Sequence, residues 1–138
     1  MERSLVLIKP DAMARGLAGT ILGRLQGAGL RLIALRMLHM DKALAERHYA
    51  IHKEKPFFSD LVEYITSSPI VAAVFEGEGA VERIRKLMGA TDPAKAAPGT
   101  IRKDYGLDLQ RNSTHASDSP ENAVKEINLF FQENEIYS

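Results

Sequence analysis

The sequence predicts an α+β sandwich in which helices cover a four-stranded antiparallel sheet. Three observations support this. Strand-length apolar runs alternate with stretches of helical spacing. The elements fall into two βαβ-like halves, with no linker, low-complexity tract or internal repeat between them. The 138 residues, 45% hydrophobic and 26% charged, have the size and balance of one ordinary domain, taken as residues 1–138.

Leu5-Val6-Leu7-Ile8 is a short apolar run ended by Lys9-Pro10-Asp11, so it reads as a buried central strand stopped by a proline-forced turn. Ile21, Leu22, Leu25 and Ala28 follow helical spacing, and Gly27 and Gly29 stop that helix. Arg31 to Met40 reads as a second strand. Arg31 and Arg36 have opposite parity in it, which a bulge or an exposed edge would explain. Asp41 is an N-cap for a helix from about Lys42 to Tyr49. Phe57 to Thr66 forms another helix after Pro56. Ile70 to Phe75 is a third strand, and Val81, Ile84 and Met88 mark a helix closed by Gly89. Residues 90 to 113 show no clear periodicity and read as a long structureless loop, functional or disordered. A short extended piece around Thr114 follows. The last helix begins near Ser119-Pro120, with Ala123, Val124, Ile127 and Phe131 as its apolar stripe. This order fits the split βαβ, ferredoxin-like arrangement. A doubly wound parallel sheet is the main competing topology.

Lys plus Arg and Asp plus Glu each number 18, so the net charge is zero, and nothing points to a nucleic-acid-coating protein. The absence of cysteine excludes disulfides and thiolate metal sites and fits a reducing compartment. Met1-Glu2-Arg3-Ser4 leads into only four apolar residues, too few for a signal-peptide core, and no run reaches membrane-spanning length. The cytoplasm is the expected location.

Asn112 to Ser119 sets His115 among hydroxyls and carboxylates, just past a basic loop carrying Arg102, Lys103 and Arg111. Such a histidine can act as a nucleophile or as an acid/base, and the positive charge can hold a polyanion. A turn that merely contains a histidine accounts for the eight residues equally well. Lys9 ends a buried strand, where lysines usually snorkel outward, yet ligand sites also gather at such ends. Arg85 borders the apolar stripe of its helix and can lean over the sheet. With Arg102 and His115 it could neutralise a triphosphate through planar bidentate donors. Glu126 lies mid-helix. It is either a solvated carboxylate or one that fixes a histidine tautomer. Phe57 and Phe58 are core residues, or one of them is a base-stacking platform. No P-loop is present, and Gly77-Glu78-Gly79 reads as a turn. Four histidines without a cysteine argue against a zinc site. His48 and His52 do not complete a His-Glu-x-x-His motif and read as surface residues.

Across nearly its whole length the chain resembles the nucleoside diphosphate kinases. Their signature Asn-x-x-His-Gly-Ser-Asp here reads Asn112-Ser113-Thr114-His115-Ala116-Ser117-Asp118. Leu7-Ile8-Lys9-Pro10-Asp11, Arg15-Gly16-Leu17, His48-Tyr49, Pro56-Phe57-Phe58, Ser68-Pro69-Ile70-Val71, Gly89-Ala90-Thr91-Asp92-Pro93 and Pro98-Gly99-Thr100-Ile101-Arg102 also fit in order. The resemblance implies a ping-pong enzyme with a ferredoxin-like fold. His115 would take the γ-phosphoryl of a nucleoside triphosphate, usually ATP, and pass it to a nucleoside diphosphate. Lys9, Tyr49, Arg85, Thr91 and Arg102 match phosphate-contacting positions, and Lys9 and Asn112 match ribose-contacting ones. Phe57 matches the base-stacking aromatic, with Leu61 beside it. Ser117 and Glu126 match the residues that hydrogen-bond the histidine. Asp118 matches the position that reaches Mg²⁺ through water. A homo-oligomer is implied, a hexamer ahead of a tetramer.

Two departures from the pattern matter. Ala116 replaces the usual glycine, and if its backbone needs φ > 0 the methyl costs about 1 kcal/mol. Ser113-Thr114 replaces residues that are commonly apolar. An RNA-binding module on the same sheet is the alternative reading, but it needs exposed strand aromatics that the central strands lack.

Overall fold

The computed structural model describes residues 1–138. Strand β1 (Glu2–Ile8) runs through the middle of the protein. It is followed by helices α1 (Pro10–Ala14) and α2 (Ala18–Gly27), strand β2 (Arg31–Leu38), and helices α3 (Lys42–His48) and α4 (Phe58–Ile65). Then come β3 (Ile70–Gly77), α5 (Ala80–Met88), α6 (Ile101–Tyr105), β4 (Thr114–Ala116) and α7 (Pro120–Phe130). The sheet order is β2-β3-β1-β4 with every neighbouring pair antiparallel, which is the ferredoxin-like topology and rules out the parallel alternative.

β1 is central because both its faces are apolar. Leu5, Val6, Leu7 and Ile8 are all fully buried. Side chains alternate along a strand, so the run feeds two cores. Leu5 and Leu7 join Ala72, Val74, Ile65, Ile127 and Phe130 under α3, α4 and α7. Val6 and Ile8 join Ala73, Phe75, Ile21, Leu25, Ile84 and Ile101 under α2, α5 and α6. Truncating a buried Phe such as Phe75 to Ala would cost about 3–5 kcal/mol. With both faces of the central strands covered, they offer no open platform for RNA bases. The irregular parity of the second strand has both anticipated causes: β2 is an edge strand, and its pairing with β3 slips at Leu32/Ala34.

Four expectations need correction. The turn after Ile8 continues into a five-residue helix, α1, because Pro10 at its first position has φ already set for helix. The loop from 90 to 113 is not structureless. It contains a 3-10 turn, Pro93–Lys95, capped by Asp92, and α6, capped by Thr100. Val124 is exposed and lies outside the α7 stripe, which Phe130 completes instead. His48 is buried rather than on the surface. No helix is long and apolar enough to cross a membrane.

Candidate active site

β4 sets the position of His115. It pairs with β1 so that His115 lies opposite Leu7, with Thr114 opposite Ile8 and Ala116 opposite Val6. Alternation then turns His115 toward α3 and α7, while Thr114 faces α5 and its hydroxyl donates to Met88 Sδ at 2.8 Å. Ser117 prolongs the ladder. Its N–H donates to Leu5 O at 3.1 Å, and its Oγ accepts from Leu5 N–H at 3.1 Å.

The chain enters β4 through a sharp reversal at Ser113, whose φ is +74°. Two bonds hold this left-handed residue: its N–H donates to Asp11 Oδ2 at 3.0 Å, and its carbonyl accepts from Lys9 N–H at 2.9 Å. Asp11 is steadied in turn by Tyr64, whose hydroxyl donates to Oδ1 at 2.6 Å. The conformational strain anticipated at Ala116 therefore falls at Ser113. Ala116 is ordinary strand, and its methyl carries no left-handed cost.

His115 Nε2 lies 3.1 Å from Glu126 Oε1, and the Ser117 hydroxyl donates to the same oxygen at 2.7 Å. Burial alone would raise the Glu126 carboxyl. The hydrogen bonds from His115 and Ser117, with His48 nearby, outweigh it and hold the carboxyl below its usual range. Glu126 therefore stays anionic and fixes the ring with its proton on Nε2. Nδ1 of His115 has no protein partner.

A cleft of about 590 Å³ opens in front of this histidine. Every predicted site residue lines it except Ser117 and Glu126, which stand behind the ring. Lys9 Nζ donates to Asn112 Oδ1 at 2.9 Å and to Gln110 O at 3.2 Å. Burial, with the Arg102 guanidinium near it, lowers the Lys9 ammonium from 10.5 to about 8. Arg102 is anchored on Gly89 O at 2.9 Å and Thr114 O at 3.0 Å, and its buried Nε has no partner. Burial and the neighbouring Arg85 lower its guanidinium to about 10, so it keeps its charge at neutral pH. The Tyr49 phenol is raised above its ordinary value by burial, with Glu126 adding to the effect, and it stays protonated. Phe57 is 45% exposed and lines the cleft with Leu61, while Phe58 packs against the core. Sequence reasoning missed Leu109 and Gln110, which line the same cleft. Gln110 Nε2 donates to Asp60 O at 2.8 Å and ties the long loop to α4. No periodicity marks a loop residue of this kind.

One cleft thus gathers an exposed aromatic, three cations and a histidine backed by a carboxylate, groups whose chemistry suits a nucleotide. The sequence model described as nucleoside diphosphate kinase matches residues 2–136. The chain belongs to the nucleoside diphosphate kinase family. A nucleoside diphosphate kinase of Dehalococcoides mccartyi is 62% identical over 99% of this chain and 96% of the relative. One from Archaeoglobus fulgidus is 57% identical over 99% of this chain and 90% of its own length. Among solved structures, the Aquifex aeolicus nucleoside diphosphate kinase superposes with a TM-score of 0.96 at 46% identity, covering 98% of each chain. The Halobacterium salinarum enzyme, solved in complex with CDP, also reaches 0.96, at 47% identity over 99% of this chain and 91% of that one. Membership of the nucleoside diphosphate kinase family makes the chain a kinase that transfers phosphoryl groups between nucleotides, which generally requires a divalent metal.

Proposed function

We propose that His115 carries the phosphoryl group between the two half-reactions, with Nδ1 as the nucleophile. The observation that carries this reading is the Nε2 bond to Glu126 at the back of a cationic cleft. With the proton held on Nε2, the in-plane lone pair lies on Nδ1, the nitrogen without a protein partner. Nδ1 forms its bond to the γ-phosphorus as the bond from that phosphorus to the β,γ-bridging oxygen breaks. The diphosphate leaves with the electron pair. The ring becomes a phosphorylated cation, and the Glu126 carboxylate balances its charge through Nε2–H. A second nucleoside diphosphate then attacks the phosphorus, and the reverse steps restore the imidazole.

Lys9, Arg85, Arg102, Tyr49 and Thr91 bind and align the phosphates in this scheme. Phosphoryl transfer asks mainly for such alignment and charge neutralisation. Asn112, with Lys9, holds the ribose. Phe57 and Leu61 take the base through its π-face, which every base has, so the enzyme accepts all of them.

Mg²⁺ is the metal we assign. Asp118 and Asp60 are the only carboxylates lining the cleft. Asp118 Oδ1 is held by Asn122 Nδ2 at 2.6 Å, and its other oxygen has no protein partner. Few hard oxygen donors suit a cation held mainly by phosphates and water, with Asp118 reached through water. When bound, Mg²⁺ supplies neutralisation of the β- and γ-phosphate oxygens.

We further infer that residues 1–138 act as a single domain in a cytoplasmic homo-oligomer, a hexamer ahead of a tetramer. The absence of cysteine supports the compartment. Exposed Leu35 and Met37 on the edge strand β2 support a subunit contact. Light scattering on the purified chain gives the subunit number.

The experiment on the reaction uses γ-labelled ATP with Mg²⁺, then unlabelled GDP or CDP. Acid-labile, base-stable label should appear on the protein and move to the added diphosphate. Label that persists in His115→Ala, or wild-type turnover without labelled protein, overturns the assignment.

A further inference from the structure

His48 has no part in the mechanism above, yet it is the residue most in need of an explanation. Its ring is buried at the end of α3, edge-on to His115 with centroids 4.6 Å apart, and packed on Phe130 at 5.5 Å. Neither of its ring nitrogens has a hydrogen-bond partner. An orphaned buried polar group loses its bonds to water without replacement, so an imidazole with both nitrogens unpaired calls for a reason. One nitrogen of His48, one of His115 and a carboxylate oxygen of Glu126 all lie within 4.8 Å of one another. Burial, followed by the proximity of His115, lowers the His48 ring to about 3, so it offers a lone pair rather than a charge at neutral pH.

Two neutral imidazoles and one carboxylate form a recognised ligand set for Zn²⁺, with a fourth position left for water. It is the wrong set for Mg²⁺, which takes oxygen. The distances suit the smaller spacing. Ligand atoms sharing a tetrahedral Zn²⁺ stand about 3.3 Å apart, given metal–ligand bonds of about 2.0–2.1 Å. The separation of His115 Nε2 and Glu126 Oε1 is already 3.1 Å. Only His48 has to swing inward.

We propose that His48, His115 and Glu126 form a binding site for a borderline divalent transition cation of the Zn²⁺ type, and that occupancy silences the enzyme. The silencing step rests on His115 Nδ1 being the nucleophile. A cation on Nε2 takes the lone pair that Nε2 must expose, so the ring proton moves from Nε2 to Nδ1. No proton leaves the protein, because Glu126 is already ionised and His48 already neutral. The proton on Nδ1 now occupies the lone pair that would bond to phosphorus. Lys9, Arg85, Arg102 and Phe57 are untouched, so the block falls on chemistry and leaves the nucleotide subsites in place. The proposed site uses imidazole and carboxylate donors, which the absence of cysteine does not remove.

The test uses the nucleotide-free, purified full chain, with zinc chloride in a buffer that does not chelate. Calorimetry should find one Zn²⁺ per chain. Long-range ¹H–¹⁵N spectra should show His115 passing from the Nε2–H to the Nδ1–H tautomer as the metal is added. His48→Phe keeps a ring in the packing and removes both donor nitrogens. It should bind Zn²⁺ at least about tenfold more weakly, while still taking label from ATP and Mg²⁺ when a zinc-selective chelator removes stray zinc. Equal affinity in wild type and His48→Phe, or an unchanged His115 tautomer with Zn²⁺ bound, overturns the site. Should His48→Phe fail to fold, the wild-type tautomer decides alone. A wild-type chain that takes no label with Mg²⁺ and a zinc-selective chelator both present sinks the phosphohistidine reading instead, so the two failures are distinguishable.

Discussion

Glu126 offers the sharpest test of how the histidine is armed. Glutamine at this position keeps the shape and removes the charge, while alanine removes both. Oε1 accepts two bonds, 3.1 Å from His115 Nε2 and 2.7 Å from Ser117 Oγ. A hydrogen bond to a charged group contributes about 1.5–3 kcal/mol against about 1 kcal/mol for a neutral pair. Positive charge develops on the ring as Nδ1 bonds to phosphorus, so the difference is felt in the transition state. Glu126→Gln should then lose about 1 kcal/mol, a roughly fivefold slower phosphorylation, and Glu126→Ala about 2 kcal/mol, roughly 30-fold. Glu126 does not line the cleft, so the loss belongs in the rate and not in nucleotide affinity. Rapid quench with γ-labelled ATP measures the first, and calorimetry with ADP the second. Ser117→Ala acts on the same oxygen, so the double variant should lose less than the sum of the single losses. A Glu126→Ala enzyme that phosphorylates at the wild-type rate and merely binds ADP more weakly would refute this reasoning.

Three further outcomes follow from the structure. Bound phosphates favour charged Lys9, whose free ammonium titrates near 8, so ADP affinity should be flat below that pH and fall about tenfold per unit above it. Calorimetry across pH 6–9.5 checks this, and Lys9→Ala should flatten the alkaline limb. Phe57→Ala should weaken ADP, GDP and CDP alike by about 1–3 kcal/mol of lost stacking. A loss confined to one base would contradict a shared π-face shelf. Gly89 has φ +86°, and a Cβ there would stand 2.6 Å from Thr100 Oγ1, so Gly89→Ala should lower stability by about 2 kcal/mol in a thermal melt. It should also displace Arg102, which bonds to Gly89 O, and so weaken nucleotide binding as well.

The sequence was most legible where one local pattern decided the outcome. β1, β3 and α5 announce themselves through unbroken apolar runs or 3.6-residue spacing, because in each the core contact is set by the element's own residues. The reactive set was readable through its motif, and Lys9 just after β1, Tyr49 just after α3, Arg85 of α5 and His115 of β4 do meet at one cleft. What escaped depends on partners distant in sequence. The helical turns within residues 90–113 are too short for periodicity, although Asp92-Pro93 and Thr100 carried the capping signal that would have located them. Asp11 looked like part of a turn. Its role emerges only when Tyr64 and Ser113, 53 and 102 residues away, close on its two oxygens and stabilise the left-handed step into β4. His48 was misread for the same reason. Spacing ties it to His52 on its own segment, whereas its burial comes from Phe130 and His115 across the sheet's helical layer. The same long-range packing that hides His48 from sequence reasoning also puts one of its unpaired nitrogens within 4.8 Å of the His115–Glu126 pair, so Zn²⁺ capture and nucleophile activation compete for one ring nitrogen.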